Sequence, residues 1–269
     1  KDMKMKTAFA TESEFLRDIP LFSGLPEKDM VAFMKSAYPR NYKKHEYIYH
    51  QGDNADRFFI ILGGWIRLYR ETVDGDESVS DLLTTGHTFG EGIIFYQNNS
   101  YLFSAQAVES ARVLEISKWV LKNRAEENPD ILKRIMNSMC EKMIRLQSEN
   151  ERLASMNAAQ RVACLILRLS ANMIGNGGTF TFPYDKSLAA AQLGMKRETF
   201  SRALMHLRSV GVRVKGSEIQ VESFHRLTQF SCKHCAMSAG QCAGARFSSN
   251  KFCNAWNDNA IRSHNSRGA

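Results

Sequence analysis

Four cysteines crowd the end of the chain, Cys232, Cys235, Cys242 and Cys253, spaced Cys-x2-Cys-x6-Cys-x10-Cys. Two intervening residues let a pair of thiolates converge on one centre, and four thiolates complete a metal site with no other donor. The residues between them are small (Ala236, Ser238, Ala239, Gly240, Ala243, Gly244), which lets the chain wrap closely. An iron–sulfur cluster and a structural zinc compete for this set, and His234 could replace one thiolate. A cysteine cluster in a chain without an export signal holds a metal more often than disulfides. Of the other cysteines, Cys164 lies in an apolar run, Val162-Ala-Cys-Leu-Ile-Leu, and reads as a core thiol. Cys140 reads as an ordinary thiol on a helix rather than a redox handle.

A second constellation carries a different chemistry. From Asp185 to Leu207 the layout is a capping residue (Asp185), small residues (Ala189, Ala190), a turn glycine (Gly194) and then a stripe of Phe200, Leu204 and Leu207. Leu193 joins that stripe. Lys196, Arg197, Glu198, Ser201 and Arg202 form the polar face of the second helix. This is the pattern of a helix-turn-helix, whose second helix offers its N-terminal side chains to the major groove of double-stranded DNA. Gly211 closes the helix, and Val212 to Val221 reads as a two-stranded wing turning at Gly216–Ser217, with Arg213 and Lys215 placed near phosphates.

Stepping upstream, the run after Pro129 has no Gly or Pro until about Met156. Leu132, Met136, Met139, Met143, Leu146, Asn150 and Leu153 follow one another at alternating steps of four and three. That is a heptad seam with Asn150 at an a position, which favours a defined two-stranded register and so a homodimer. The alternative is an amphipathic helix packed on its own domain, with a wider stripe. Before it, Tyr47–Tyr49, Phe58–Leu62, Trp65–Tyr69, Val79–Leu83 and Ala105–Ile116 read as short strands separated by turn signals (Gln51-Gly-Asp, Gly63-Gly64, Asp74-Gly-Asp, Thr85-Gly-His). Short helices are expected at Thr11–Asp18 and Pro26–Ser36, and a longer one at Ala158–Met173. The fold class is therefore α+β.

Charge agrees with this division. The chain carries +8 formally, but residues 1–154 sum to −2 and residues 155–269 to +10. A basic back half suits a nucleic-acid partner. No apolar run approaches the roughly 20 residues of a membrane-spanning helix, and the first residues lack the apolar core of a secretion signal. No nucleophile–base pair, phosphate-binding loop or hydrolase motif is present, so an enzyme is not expected.

At Arg197-Glu-Thr-Phe-Ser-Arg202 the chain resembles the CRP/FNR superfamily of bacterial transcription regulators. The resemblance covers about residues 20–228 and extends to Phe22-Ser-Gly-Leu, Tyr49-His-Gln-Gly-Asp, Phe59-Ile-Ile-Leu-Gly-Gly, Phe89-Gly-Glu and Ser104-Ala-Gln-Ala. It implies an N-terminal β-roll of the cyclic-nucleotide-binding type (1–127), a dimerisation helix (128–156), a winged helix-turn-helix (157–228) and a cysteine-rich tail (229–269). It implies a cytoplasmic homodimer that meets RNA polymerase on a palindromic operator, with a half-site close to TTGA or TTGTGA. In this family Glu198 would accept from a cytosine amino group, Arg202 would read guanine, Ser201 would meet thymine, and Arg197 would contact guanine or a phosphate. Groove geometry favours the first two pairings.

The resemblance also bears on the signal. In cyclic-nucleotide members an arginine precedes the Ser-Ala of the phosphate-binding stretch; here Phe103 stands in its place, which argues against a cyclic nucleotide. Phe95, Tyr96, Tyr101 and Phe103 make that region aromatic, as in the branch that answers oxygen or nitric oxide, although plain core packing would need the same residues. Haem would require an axial ligand such as His45, His50 or His87. The tail spacing resembles the cluster-binding cysteines of FNR-type sensors, so a 4Fe-4S iron–sulfur cluster is expected ahead of zinc. The best-known pattern is N-terminal with shorter spacing, which this chain lacks. The alternative is a small-ligand switch, with haem or a cyclic nucleotide in the β-roll and a structural zinc or an unliganded tail.

Overall fold

The structure, a computed structural model, describes residues 12–71, 77–96, 99–170 and 177–231. The cysteine tail from Cys232 onward and the Asp74-Gly-Asp turn lie outside them. The chain divides into two compact units, Lys1–Met143 and Ile144–Ala269. No helix among the described residues is long and apolar enough to cross a membrane.

The first unit opens with helices α1 (12–17) and α2 (Glu27–Lys35). Eight strands follow: β1 (Ala37–Tyr42), β2 (Tyr47–Tyr49), β3 (Arg57–Gly63), β4 (Trp65–Glu71), β5 (Glu77–Thr84), β6 (Thr88–Phe89), β7 (Ser104–Ala107) and β8 (Ala111–Ser117). They form two four-stranded antiparallel sheets, ordered β1-β8-β3-β6 and β2-β7-β4-β5. The core lies between them, built from Tyr42, Tyr49, Phe59, Ile61, Ile66, Leu83, Phe89, Tyr101, Ala105 and Val113.

The β3 strand shows how the sequence produces this arrangement. Phe58, Phe59, Ile60 and Ile61 are all buried, so the strand is covered on both faces. Phe59 and Ile61 enter the core between the sheets. Phe58, pointing the other way, stacks on Phe22, which meets Phe33 of α2 edge-on. Such a strand reads as a continuous apolar run rather than an alternation. At its end Gly64 holds φ +86°, and a Cβ there would sit 2.7 Å from the Ser110 carbonyl oxygen. The β3–β4 turn therefore admits only glycine without a shift of backbone.

The structure corrects the expectation of one strand over Ala105–Ile116. It is two, β7 and β8, which belong to different sheets. The break falls at residues 108–110, where the Val108 amide donates to the Trp65 carbonyl. Strand β1, unforeseen, pairs with β8 as an edge and carries Pro39; an edge tolerates a residue that cannot donate. Helix α3 (Lys118–Glu127) was also unforeseen. Helix α4 follows over Pro129–Ser155, with proline at its first position.

The second unit begins within α4. Helix α5 (Ala158–Leu169) starts from a capping box, in which Asn157 and Gln160 each bond the other's backbone amide. Strand β9 (Gly178–Thr181) comes next, then helices α6 (Lys186–Gln192) and α7 (Arg197–His206). The wing comprises β10 (Val212–Lys215) and β11 (Glu218–Val221). Strand β9 adds to β11, so the expected two-stranded wing is a three-stranded sheet. A last helix, α8 (Phe224–Ser231), packs on α5. Asp185 caps α6 by accepting from the Leu188 amide at 2.8 Å. Asp185→Ala should cost about 1 kcal/mol of this unit's stability, readable as a lower urea midpoint; an unchanged midpoint would show that the cap is not needed.

Candidate nucleic-acid interface and sensor region

Helix α7 is held by its apolar stripe. Phe200, Ala203 and Leu204 are buried, and so is Leu207 in the turn after it. Phe200 meets Phe182 edge-on at 6.3 Å. Leu193, expected in the same stripe, is only half-buried in the turn. Ala189 and Ala190 of α6 are fully buried, as a close helix approach requires. Between the helices the chain reverses at Gly194, φ +60°, and the Met195 amide returns to the Ala190 carbonyl at 3.0 Å. A positive φ at that place is why glycine is used.

This scaffold leaves the opposite face of α7 to solvent. Lys196, Arg197, Glu198 and Arg202 are exposed and Ser201 is half-buried. Among the described residues none of these five side chains makes a hydrogen bond or ion pair. Three cations and one carboxylate leave a net charge of +2 at the start of the helix. Lys215 is exposed at the wing tip, beside the Gly216–Ser217 turn. Arg213 differs from the expectation: its Nε donates to Glu222 Oε1 at 2.9 Å, so its charge is shared within the wing. The pairing could not be read from the sequence, because it depends on where the chain leaves β11.

Helix α4 carries two faces. Ile131 and Ile135 are buried. The seam positions are not: Met136 is 57% exposed, Met143 55%, Leu146 49% and Leu153 46%, with Leu132 also exposed. Asn150 is exposed, and Met139 is half-buried, with its methyl close to Gly92. Apolar side chains bared along one line of a helix are the mark of an interaction surface.

In the first unit the aromatic residues separate. Tyr101 is buried, stacked on Tyr49 at 3.6 Å between ring centres, with Phe59 and Phe89 stacked beside them at 4.9 Å. Phe95 and Tyr96 are half exposed instead. Phe103 lies under Arg70, whose guanidinium carbon is 4.8 Å from the ring centre. Arg70 also donates to the Leu102 carbonyl from both Nε and Nη2 at 3.3 Å. Sequence reasoning missed Arg70; only the β4–β7 register, with Tyr69 opposite Ser104, brings it there.

The polar groups of this region are already engaged. Ser104 Oγ accepts from the Gln51 amide at 3.0 Å. Glu91, 2% exposed, accepts from Thr88 Oγ1 at 2.9 Å and from Lys142 of α4. Burial alone would raise the Glu91 pKa, but the Lys142 ammonium and these hydrogen bonds hold it below the usual carboxylate value. The residues present do not offer a cyclic nucleotide its usual partners: Phe103 stands where the phosphate-binding arginine is expected, Glu91 is tied to Thr88 and Lys142, and stacked rings fill the interior. His45 and His50 are exposed, with His50 stacked on Tyr47, and His87 Nδ1 faces the Thr84 carbonyl at 2.9 Å. Among the described residues no group of three or more His, Cys, Asp or Glu side chains could hold a metal ion.

The tail begins directly after α8. Phe230 of that helix faces His206, the last residue of α7, at 5.9 Å, and its carbonyl accepts from Gln160 at 3.5 Å. Ser231 is fully buried. Helix α8 is thus seated on α5 and on the end of α7.

Comparison with known proteins bears on both units. The cyclic nucleotide-binding domain family matches residues 39–128, and the Crp-like helix-turn-helix domain family matches residues 160–230. Electron transport regulator A of Shewanella oneidensis is 31% identical over 191 residues, covering 69% of this chain and 75% of that protein. The transcriptional activator protein anr of Pseudomonas aeruginosa is 25% identical over 76% of this chain and 82% of its own length. A crystal structure of a candidate cyclic nucleotide binding protein from Ruegeria pomeroyi shares 32% identity and a TM-score of 0.62, covering 81% of this chain and 96% of that one. The chain therefore belongs to the CRP/FNR superfamily of transcription regulators, which bind DNA through a helix-turn-helix and are not enzymes.

Proposed function

We propose that this chain is a cytoplasmic homodimeric regulator that reads a palindromic TTGA- or TTGTGA-like operator, acts with RNA polymerase, and answers a redox, oxygen or nitric oxide signal. The reading rests chiefly on the α7 face: polar groups without hydrogen-bond or ion-pair partners among the described residues, on a helix fixed by its other side. Arg202 and Glu198 have the chemistry to read guanine and cytosine edges. Ser201, Arg197 and Lys196 complete the face, and Lys215 and Arg213 supply phosphate contacts from the wing. The seam of Leu132, Met136, Met139, Met143, Leu146, Asn150 and Leu153, bare except at Met139, supports a two-stranded pairing, which would set two half-sites one helical turn apart.

The signal is assigned to a 4Fe-4S cluster on Cys232, Cys235, Cys242 and Cys253. Four thiolates suit a cluster or zinc, and the resemblance of their spacing to the cysteines of FNR-type sensors favours the cluster. When bound, the cluster would supply redox and nitric oxide reactivity. The chain's own part is to carry any change at the tail through α8, by Phe230, to His206 at the end of α7.

Two measurements test this. Fluorescence anisotropy with a palindromic TTGTGA duplex and a scrambled duplex should show tighter, salt-dependent binding to the first; equal affinity for both would refute the operator reading. Anaerobic purification followed by iron, sulfide and zinc analysis should find iron and sulfide in about equal amounts. Cys232→Ala with Cys235→Ala should remove them together with any redox-dependent change in operator affinity. A zinc-containing, colourless protein would refute the cluster reading.

A further inference from the structure

The second unit holds a small pocket lined by Glu149, Arg152, Arg161, Arg168 and Gln192 with apolar walls that include Leu165. Three guanidinium groups face one carboxylate, for a net charge of +2. Glu149 serves Arg152 and Arg168 with a single oxygen, Oε1, at 3.3 Å to each. Arg161 donates through Nη1 to the Leu193 carbonyl at 3.0 Å, in the turn of the helix-turn-helix. Its Nε is buried and has no hydrogen-bond partner among the described residues. A buried donor without an acceptor is costly, so such groups are normally satisfied.

The geometry points to a binding site for a small oxyanion, with inorganic phosphate as its simplest ligand. A phosphate dianion matches the excess charge. Its oxygens can accept from the donors of Arg152 and Arg168 that Glu149 leaves unused. The pocket volume, about 40 Å³, is room for roughly three water-sized groups, so the site takes an oxyanion head and not a whole nucleotide. Apolar walls strengthen each charge contact by excluding water. The pocket joins the last turns of α4, helix α5 and the end of α6, so an occupant braces the helix-turn-helix against the helix that precedes it.

Isothermal titration of the DNA-free full chain with inorganic phosphate, in low-salt chloride buffer, tests this. Saturable binding of one phosphate per chain is expected. Arg152→Gln and Arg168→Gln should each weaken it about tenfold or more, the loss of a charge-assisted pair. Glu149→Gln removes the competing carboxylate and should tighten binding about tenfold, a gain that a misfolded variant cannot give. Should the arginine variants fail to fold, Glu149→Gln alone decides. No saturable binding, equal binding in all variants, or weaker binding to Glu149→Gln overturns the site. Complete displacement of phosphate by saturating operator DNA would assign the pocket to the DNA backbone and overturn it as well.

Discussion

Lys142→Met is expected to destabilise the N-terminal unit by about 2–3 kcal/mol, the cost of leaving the buried Glu91 carboxylate without its half-buried cation. Glu91 is 2% exposed, and its Oε2 has no hydrogen-bond partner among the described residues. Lys142 is its only cationic neighbour there; it also donates to the Thr88 carbonyl at 2.9 Å. Methionine keeps the aliphatic length but leaves a buried carboxylate with hydrogen bonds from the Thr88 hydroxyl and its own backbone amide and no cation beside it. The second substitution separates charge from packing: in Glu91→Gln with Lys142→Met most of the loss should return, because an amide needs no counterion. Urea unfolding followed in the near-ultraviolet would measure both. A Lys142→Met midpoint within experimental error of the parent would show that the pair contributes nothing.

The pH dependence contributed by Glu91 should have opposite signs in the parent chain and in Lys142→Met. In the parent chain the folded Glu91 pKa lies below its unfolded value of 4.5. Its contribution is therefore complete above the unfolded pKa and is lost as pH falls through the folded one. Without Lys142, burial governs and raises the folded pKa above 4.5. The folded state then binds the extra proton, and this group's contribution declines as pH rises between the two values. The penalty of Lys142→Met should accordingly shrink toward pH 4 and be largest near neutrality. A penalty independent of pH would locate the damage in packing instead.

This ion pair also marks a boundary of what the sequence could disclose. The seam of α4 was legible because a heptad repeats in the chain itself, and every seam residue except Met139 is exposed along one line. The other face of the helix was not legible. Lys142 acquires its role only from a partner far away in the chain, 51 residues off at Glu91. The same holds for Arg70, brought to Phe103 by sheet register, and for Arg213, drawn to Glu222. The helix-turn-helix was readable almost to the residue, since its capping aspartate, turn glycine and apolar stripe are local signals. The single strand expected over Ala105–Ile116 failed for the opposite reason. Both halves have strand character, and the short 108–110 break that sends them into different sheets leaves little trace in hydrophobic period.

Arg202→Ala and Glu198→Ala should each weaken binding to a TTGTGA palindrome by about 1–3 kcal/mol while leaving binding to a scrambled duplex nearly unchanged. The two side chains are exposed and make no ion pair within the described residues, so removing them should shift the folding free energy by less than about 0.5 kcal/mol. Loss of affinity can therefore be read as lost recognition rather than lost fold. The wing supplies the contrast. Lys215→Ala should weaken both duplexes alike and lower the slope of log affinity against log salt by about one, as for a phosphate contact. Arg213→Ala should do less, because Glu222 already neutralises part of that charge. Arg197 stands between these classes. A loss confined to the palindrome would make it a base reader, and a uniform loss with a shallower salt slope would make it a phosphate contact. If Arg202→Ala and Glu198→Ala behave like Lys215→Ala, the α7 face touches only the DNA backbone, and operator choice must come from the shape of the DNA.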